Sequence, residues 1–124
     1  MITTWHIRIV DDDEAVRNAL HFALDIVGFQ VESYVDAADF QARERNGPFL
    51  LICDLRMPGT SGIELARLLR KEGSTVPIIL MTGHADATIK AKAVAAGADA
   101  VLEKPIPLPM LMAEITRLTT GRIA

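Results

Sequence analysis

Four short apolar runs in this sequence end in residues that can do chemistry. HIRIV runs into Asp11, Asp12 and Asp13, FLLIC into Asp54, IILM into Thr82, and AVLE into Lys104. Brought to one place, Asp11, Asp12 and Asp54 against the single ammonium of Lys104 leave two negative charges in excess. Two carboxylates about 5 Å apart repel by roughly 3 kcal/mol at an effective dielectric of 20. Such a cluster demands a cation or a retained proton. Its donors are hard oxygens with no histidine cluster beside them, which points to Mg²⁺ (or Mn²⁺) rather than to zinc or copper. An aspartate next to such an ion can attack a phosphoryl group and carry it as an aspartyl-phosphate. Lys104 and Thr82 are suited to meet phosphoryl oxygens, one by charge and one by hydrogen bond.

The elements that must position these residues can be read from the pattern around them. Gly28, Gly47, Gly73, Gly97 and Gly121 each follow a helix-compatible stretch. Glycine suits the left-handed residue just past a helix, so the five are expected to mark five helix ends. Between them, Ile7 to Val10, Phe49 to Cys53, Ile78 to Met81 and Ala100 to Leu102 are too short for helices and rich in β-branched residues, and are expected as strands. Val31 to Val35 is a fifth, more polar strand, suited to a sheet edge. In the first helix Val16, Ala19, Leu20, Ala23, Leu24 and Val27 form the expected buried stripe, with Arg17, Asn18, His21 and Asp25 opposite. In the last, Leu108, Leu111, Met112, Ile115 and Leu118 repeat the pattern. Apolar strands alternating with amphipathic helices mean a parallel sheet covered on both faces. In such a sheet the carboxyl ends of all strands share one edge, where ligands bind.

Length and composition bound the rest. The chain has 124 residues, 50% hydrophobic, with a formal net charge of −3 and one cysteine. That is a single domain, able to bury roughly two-thirds of the surface its unfolded form exposes. Cys53 alone permits no internal disulfide and fits a reducing, cytoplasmic setting. The opening MITTWHIRIV lacks a basic start and a long apolar stretch and is not expected to act as a signal peptide, and no apolar run reaches the ~20 residues that span a bilayer. Mild acidity offers no footprint for direct nucleic-acid binding.

The segments VDDDE (10–14), DLRMPGTSG (54–62), MTGHA (81–85) and EKP (103–105) resemble the receiver domain of two-component response regulators, and the wording is similar to the FixJ-like type. The resemblance covers essentially the whole chain, 1–124, with the motifs in order. It implies a flavodoxin-like (βα)5 fold with strand order 2-1-3-4-5. Asp54 is then the phosphoacceptor; Asp12 directly, Asp11 through water and the backbone carbonyl of Arg56 hold the metal with it. Thr82 becomes the switch hydroxyl and Lys104 its ionic companion. The donor is a phosphohistidine on a sensor histidine kinase. The fourth helix, fifth strand and fifth helix shift to change partner binding, with homodimerisation through that face on phosphorylation. The Lys104–Pro105 bond is cis in many relatives. FixJ-like relatives generally carry a DNA-binding output domain; only three residues follow Gly121, so the chain is expected to be either a stand-alone receiver or a fragment of a longer protein. Four positions depart from the pattern or vary within it. Val101 stands where an aromatic usually packs inward as the threonine moves, Ile106 replaces a frequent phenylalanine, and Arg56 and His84 occupy positions that tune how long the acyl phosphate survives.

Plainer roles compete at each position. Asp13 and Glu14 are expected to cap the first helix. Cys53 and the methionines are expected as core, His6 and His21 as residues without supporting partners, and Lys90, Lys92, Asp99 and Arg117 as solvated charges. Asp54, Thr82 and Lys104 would singly be ordinary loop residues, but their conjunction is not ordinary. Two other functions use related chemistry. A small phosphatase of the haloacid-dehalogenase type would use Asp11 and Asp13 as its D-x-D, but wants a further acidic pair after the lysine, where this chain has PIPLPMLMA. A flavin-binding flavodoxin-like module would need a hydroxyl- or glycine-rich loop after the first strand, where four acids stand. A receiver-shaped interaction module that is never phosphorylated is the third alternative.

Overall fold

The computed structural model describes residues 5–43 and 47–121. Five strands and five helices alternate along them: β1 His6–Val10, α1 Glu14–Val27, β2 Gln30–Tyr34, α2 Ala37–Ala42, β3 Phe49–Asp54, α3 Gly62–Lys71, β4 Ile78–Thr82, α4 Ala87–Ala95, β5 Ala100–Glu103 and α5 Leu108–Thr119. All strand pairs are parallel, in the order β2-β1-β3-β4-β5. The polar strand Gln30–Tyr34 is an edge strand, as its composition requires.

Side-chain alternation along each strand splits the core in two. Ile7, Ile9, Leu50, Ile52, Ile79 and Met81 face α1 and α5, meeting Leu24, Leu111, Ile115 and Leu118. Val10, Leu51, Cys53, Ile78 and Leu80 face the other way, onto Phe40 of α2, Leu65 and Leu69 of α3, and Ala93 of α4. Every residue of β3 and β4 is buried, so the two central strands need no polar face. Arg8, buried in β1, donates to the Tyr34 hydroxyl at 3.0 Å and lies over the Phe49 ring.

Helix starts are set by side chains that accept the orphan amides of the first turn. Asp13, Asp36, Ser61 and Asp86 do this for α1, α2, α3 and α4, and Ser61 with Glu64 forms a reciprocal capping box. The expected capping role of Asp13 therefore holds. Gly28, with φ of 117°, ends α1 through its N–H on Leu24 and Asp25.

Several expectations are corrected. Gly47 has a left-handed φ but does not end α2, which stops at Ala42 with Arg43 as its cap; residues 44–46 lie outside those described. The α1 stripe is rotated from the expected one. Val27 and Ala19 are exposed, Phe22 and Ile26 are each 68% exposed, and the polar Arg17 and His21 are half-buried. His21 is not without a partner, because its Nδ1 bonds the Ser33 hydroxyl on β2. His6 lies 3.7 Å from Glu32. Leu108 and Met110 on α5 are exposed rather than core.

At the amino-terminal edge of the sheet, Arg70 gathers four acceptors from separate segments. Its guanidinium donates to the carbonyls of Ser74, Val76 and Gly97 and to the Asp99 carboxylate. Asp99 in turn accepts the Ile78 N–H at 2.8 Å, and its carbonyl accepts from Arg117. Asp99 and Arg117 are therefore exposed charges tied into intramolecular hydrogen bonds, rather than merely solvated. Replacing Arg70 leaves three carbonyls and a carboxylate without their donor. Arg70→Met is expected to cost about 3 kcal/mol of stability, read as a lower urea midpoint at unchanged slope.

Candidate functional site

The strand-end residues converge at the carboxyl edge. Asp11 directly follows β1, Asp54 ends β3, Thr82 ends β4 and Lys104 directly follows β5. The ladder continues past the strand ends and fixes their relative heights: the Leu55 N–H donates to Met81 and the Lys104 N–H to Thr82. Lys104 Nζ reaches across the end of β4 and donates to Asp54 Oδ1 at 2.9 Å and to Asp11 Oδ2 at 3.1 Å. The Lys104–Pro105 peptide bond is cis.

Asp11 is fully buried, and every polar function it has is engaged. Its N–H donates to Tyr34, Oδ1 accepts the Asp13 N–H at 2.9 Å, Oδ2 accepts from Lys104, and its carbonyl accepts from Arg17 Nη1 at 2.8 Å. Asp12, by contrast, is exposed. One carboxylate oxygen from each of Asp11, Asp12 and Asp54 can be chosen so that all lie within 4.8 Å of one another. Three hard oxygen donors at that spacing fit a divalent cation that keeps part of its water shell. With Asp11 committed on both oxygens, Asp12 and Asp54 are the carboxylates left to meet such an ion directly.

The electrostatics follow from burial. Burial pushes the Asp54 carboxyl above its ordinary value; the hydrogen bond from Lys104 pulls it back, and Asp11 and Asp12 push it up again. For Lys104 burial works against the charge, but its bonds to Asp54 and Asp11 outweigh this and hold it above the usual lysine range. Cys53 donates to the Asp54 carbonyl while its side chain sits in the opposite core, and burial raises its thiol. It is the core cysteine expected.

The Thr82 hydroxyl is buried and bonded within its own loop, accepting from the His84 N–H at 3.2 Å and donating to the His84 carbonyl at 3.3 Å. His84 itself is exposed, its ring 3.5 Å from Asp86. Arg56 is exposed in the segment after β3. Val101 is half-buried against the core on the α2, α3 and α4 side, beside Leu80 in register.

Three contributors escaped the sequence reading. Arg17, assigned to the solvent face of α1, reaches back to the Asp11 carbonyl. Glu103, beside Lys104 in the chain, accepts the Ala85 N–H at 2.8 Å and ties down the segment after β4. A Cβ on Gly62 would stand 2.5 Å from the Asp54 carbonyl oxygen, so α3 begins directly against the main chain of the central acid. Arg17 carried a faint signal, an arginine four residues after a helix-capping acid. The other two carried none.

The family model for the response regulator receiver domain matches residues 7–116. This chain belongs to that family. Among its curated relatives, the receiver is 40% identical over 116 residues to the transcriptional regulatory protein FixJ of Bradyrhizobium diazoefficiens, covering 93% of this chain and 57% of that protein. It is 36% identical to the C4-dicarboxylate transport regulator DctD of Pseudomonas aeruginosa, covering 88% of this chain and 24% of DctD. Among solved structures, the crystal structure of FixJ-N superposes with a TM-score of 0.86 at 36% identity, covering 99% of each chain. The chemotaxis protein CheY4 of Vibrio cholerae superposes equally well, at 25% identity. The receiver thus spans only part of the length of its first curated relatives. The expected fold and strand order hold, and the phosphatase and flavin-binding readings are not favoured.

Because Asp54 is raised in the folded protein, its ionised form costs stability wherever the unfolded chain has already lost that proton. Asp54→Asn is therefore expected to raise the urea midpoint of the metal-free receiver at pH 7. The gain should fade as pH falls through the folded-state value, which lies above the ordinary 3.8. Urea titrations from pH 3 to pH 8 check this, and a variant less stable than wild type at pH 7 contradicts it.

Proposed function

We propose that this receiver takes a phosphoryl group onto Asp54 from a phosphohistidine of a sensor histidine kinase and passes the signal on as a change in partner binding. One observation carries this reading: a single lysine from β5 bridges two buried carboxylates from β1 and β3, with a third carboxylate within 4.8 Å. Asp12 and Asp54 would hold Mg²⁺ (or Mn²⁺) with the Arg56 carbonyl, and Asp11 would do so through water. The metal supplies charge neutralisation for the entering phosphoryl group.

The protein's own groups do the rest. An Asp54 oxygen forms the new bond to phosphorus as the bond to the donor imidazole nitrogen breaks, the electron pair leaving with that nitrogen. Lys104 already points its ammonium at Asp54 and needs little rearrangement to meet a phosphoryl oxygen. Thr82 must give up two hydrogen bonds with His84 to do the same, so its movement is an exchange that loosens the loop beginning at Gly83. Val101 leaves a smaller side chain to repack behind it than an aromatic would. The receiver assists its own phosphorylation and dephosphorylation without being an independent enzyme, with Arg56 and His84 tuning the lifetime. We place it in the cytoplasm. Its partners would be the kinase, a second copy through the α4–β5–α5 face, and an output domain of the kind its longer relatives carry; the receiver itself would bind no DNA. No helix among the described residues is long and apolar enough to cross a membrane.

Intact-mass spectrometry after incubation with acetyl phosphate is expected to give one phosphoryl adduct that requires Mg²⁺ and is absent in Asp54→Asn. An adduct that survives in Asp54→Asn but is lost in Asp11→Asn points instead to the phosphatase chemistry. If no adduct forms, beryllofluoride binding separates rapid hydrolysis from a receiver that is never phosphorylated.

A further inference from the structure

The turn between β1 and α1 has to present adjacent acids against their mutual repulsion, and besides the Lys104–Asp11 pair and the first helical bond, from the Arg17 N–H to the Asp13 carbonyl, four hydrogen bonds hold it. Three come from main-chain amides: Asp11 N–H to Tyr34, Asp13 N–H to Asp11 Oδ1, and Val16 N–H to Asp13 Oδ1. The fourth is Arg17 Nη1 to the Asp11 carbonyl at 2.8 Å. That carbonyl belongs to the peptide group joining Asp11 to Asp12. Fixing its direction fixes the plane from which Asp12 departs. The Asp12 carboxylate makes no hydrogen bond or ion pair among the described residues, so its direction depends on the main chain beneath it.

We infer that Arg17 is a positioning residue for the metal site: its guanidinium locks the Asp11–Asp12 peptide so that the Asp12 carboxylate stays within reach of Asp54. This rests on the reading of Asp11, Asp12 and Asp54 as a metal-binding triad. The two consequences of an arginine at this place have opposite signs. As a positive charge close to a cation site, it weakens metal binding. As a clamp on the peptide that carries a ligand, it strengthens metal binding, as outer supporting partners of metal ligands do. The inference is that the clamp outweighs the charge.

Calorimetric titration with MgCl₂ alone, at fixed ionic strength and without any phosphodonor, decides between them. Arg17→Met is expected to raise the Mg²⁺ dissociation constant about tenfold, the low end for such supporting partners. Arg17→Lys, which keeps the charge and offers a single shorter donor, should fall between Met and wild type. His21→Ala serves as the control, since it removes the next tie of α1 to the sheet, to Ser33 on β2, one turn further on, and should leave Mg²⁺ binding unchanged. Circular-dichroism melting of each variant establishes that the fold is intact at the titration temperature. Arg17→Met binding Mg²⁺ as tightly as wild type or more tightly overturns the inference. So does equal weakening in His21→Ala, because that is the mark of a merely structural role. A wild-type protein that binds no Mg²⁺, or binds it undiminished in Asp54→Asn, removes the triad reading itself. Weakening in Asp54→Asn with none in Arg17→Met removes only the role of Arg17.

Discussion

The structure turns on the pairing of one lysine with two buried carboxylates that would otherwise repel each other. Asp11 is fully buried, and an unpaired carboxylate in that position would cost several kcal/mol. Its partner comes from the far end of the chain and from a strand three places away in the sheet, with the ends of β3 and β4 between them. This pairing requires β1, β3, β4 and β5 to stand parallel, in that order, with their carboxyl ends level. A one-residue slip in any of them would turn its terminal side chain to the other face. The long apolar strands and the covering helices on both faces meet that requirement, and the charges sit where the apolar run of each strand stops.

How legible this was depended on whether the determining pattern was local. Apolar runs that end abruptly in charge located the strands within a residue or so, and β-branched content with parallel packing then placed the strand ends together. The facing of α1 was not legible because the apolar residues of EAVRNALHFALDIV spread over more than half of its circumference. Periodicity alone allowed more than one buried stripe, and packing against β1 and β2 chose one that leaves Phe22 and Ile26 outside. The end of α2 was misplaced because six residues contain too little repeat to bound a helix. Arg17, Arg70 and Glu103 act through hydrogen bonds to main-chain atoms of other segments, and a main-chain acceptor leaves no mark in a sequence.

The two edges of the sheet divide the labour. At the amino-terminal edge Arg70 and Asp99 fasten α3, β4 and the approach to β5 with a satisfied network. At the carboxyl edge the groups are held more loosely: Asp12 is exposed, the Thr82 hydroxyl is bonded only within its own loop, and Lys104 is one cation shared between two acids. A frame that is rigid at one end and rearrangeable at the other would suit the change in partner binding proposed for this receiver.

Gly62 shows how a position with no functional group can be held as tightly as one that has chemistry. The first turn of α3 presses against the main chain that bears Asp54, and any side chain there must displace that carbonyl or the helix. A saturation screen scored on signalling would rank position 62 with the acids and the lysine, and an automated reading of that ranking would count a sixth participant in the chemistry. The residue is better understood as clearance, the empty volume that lets the acid-bearing strand and its following helix share one corner.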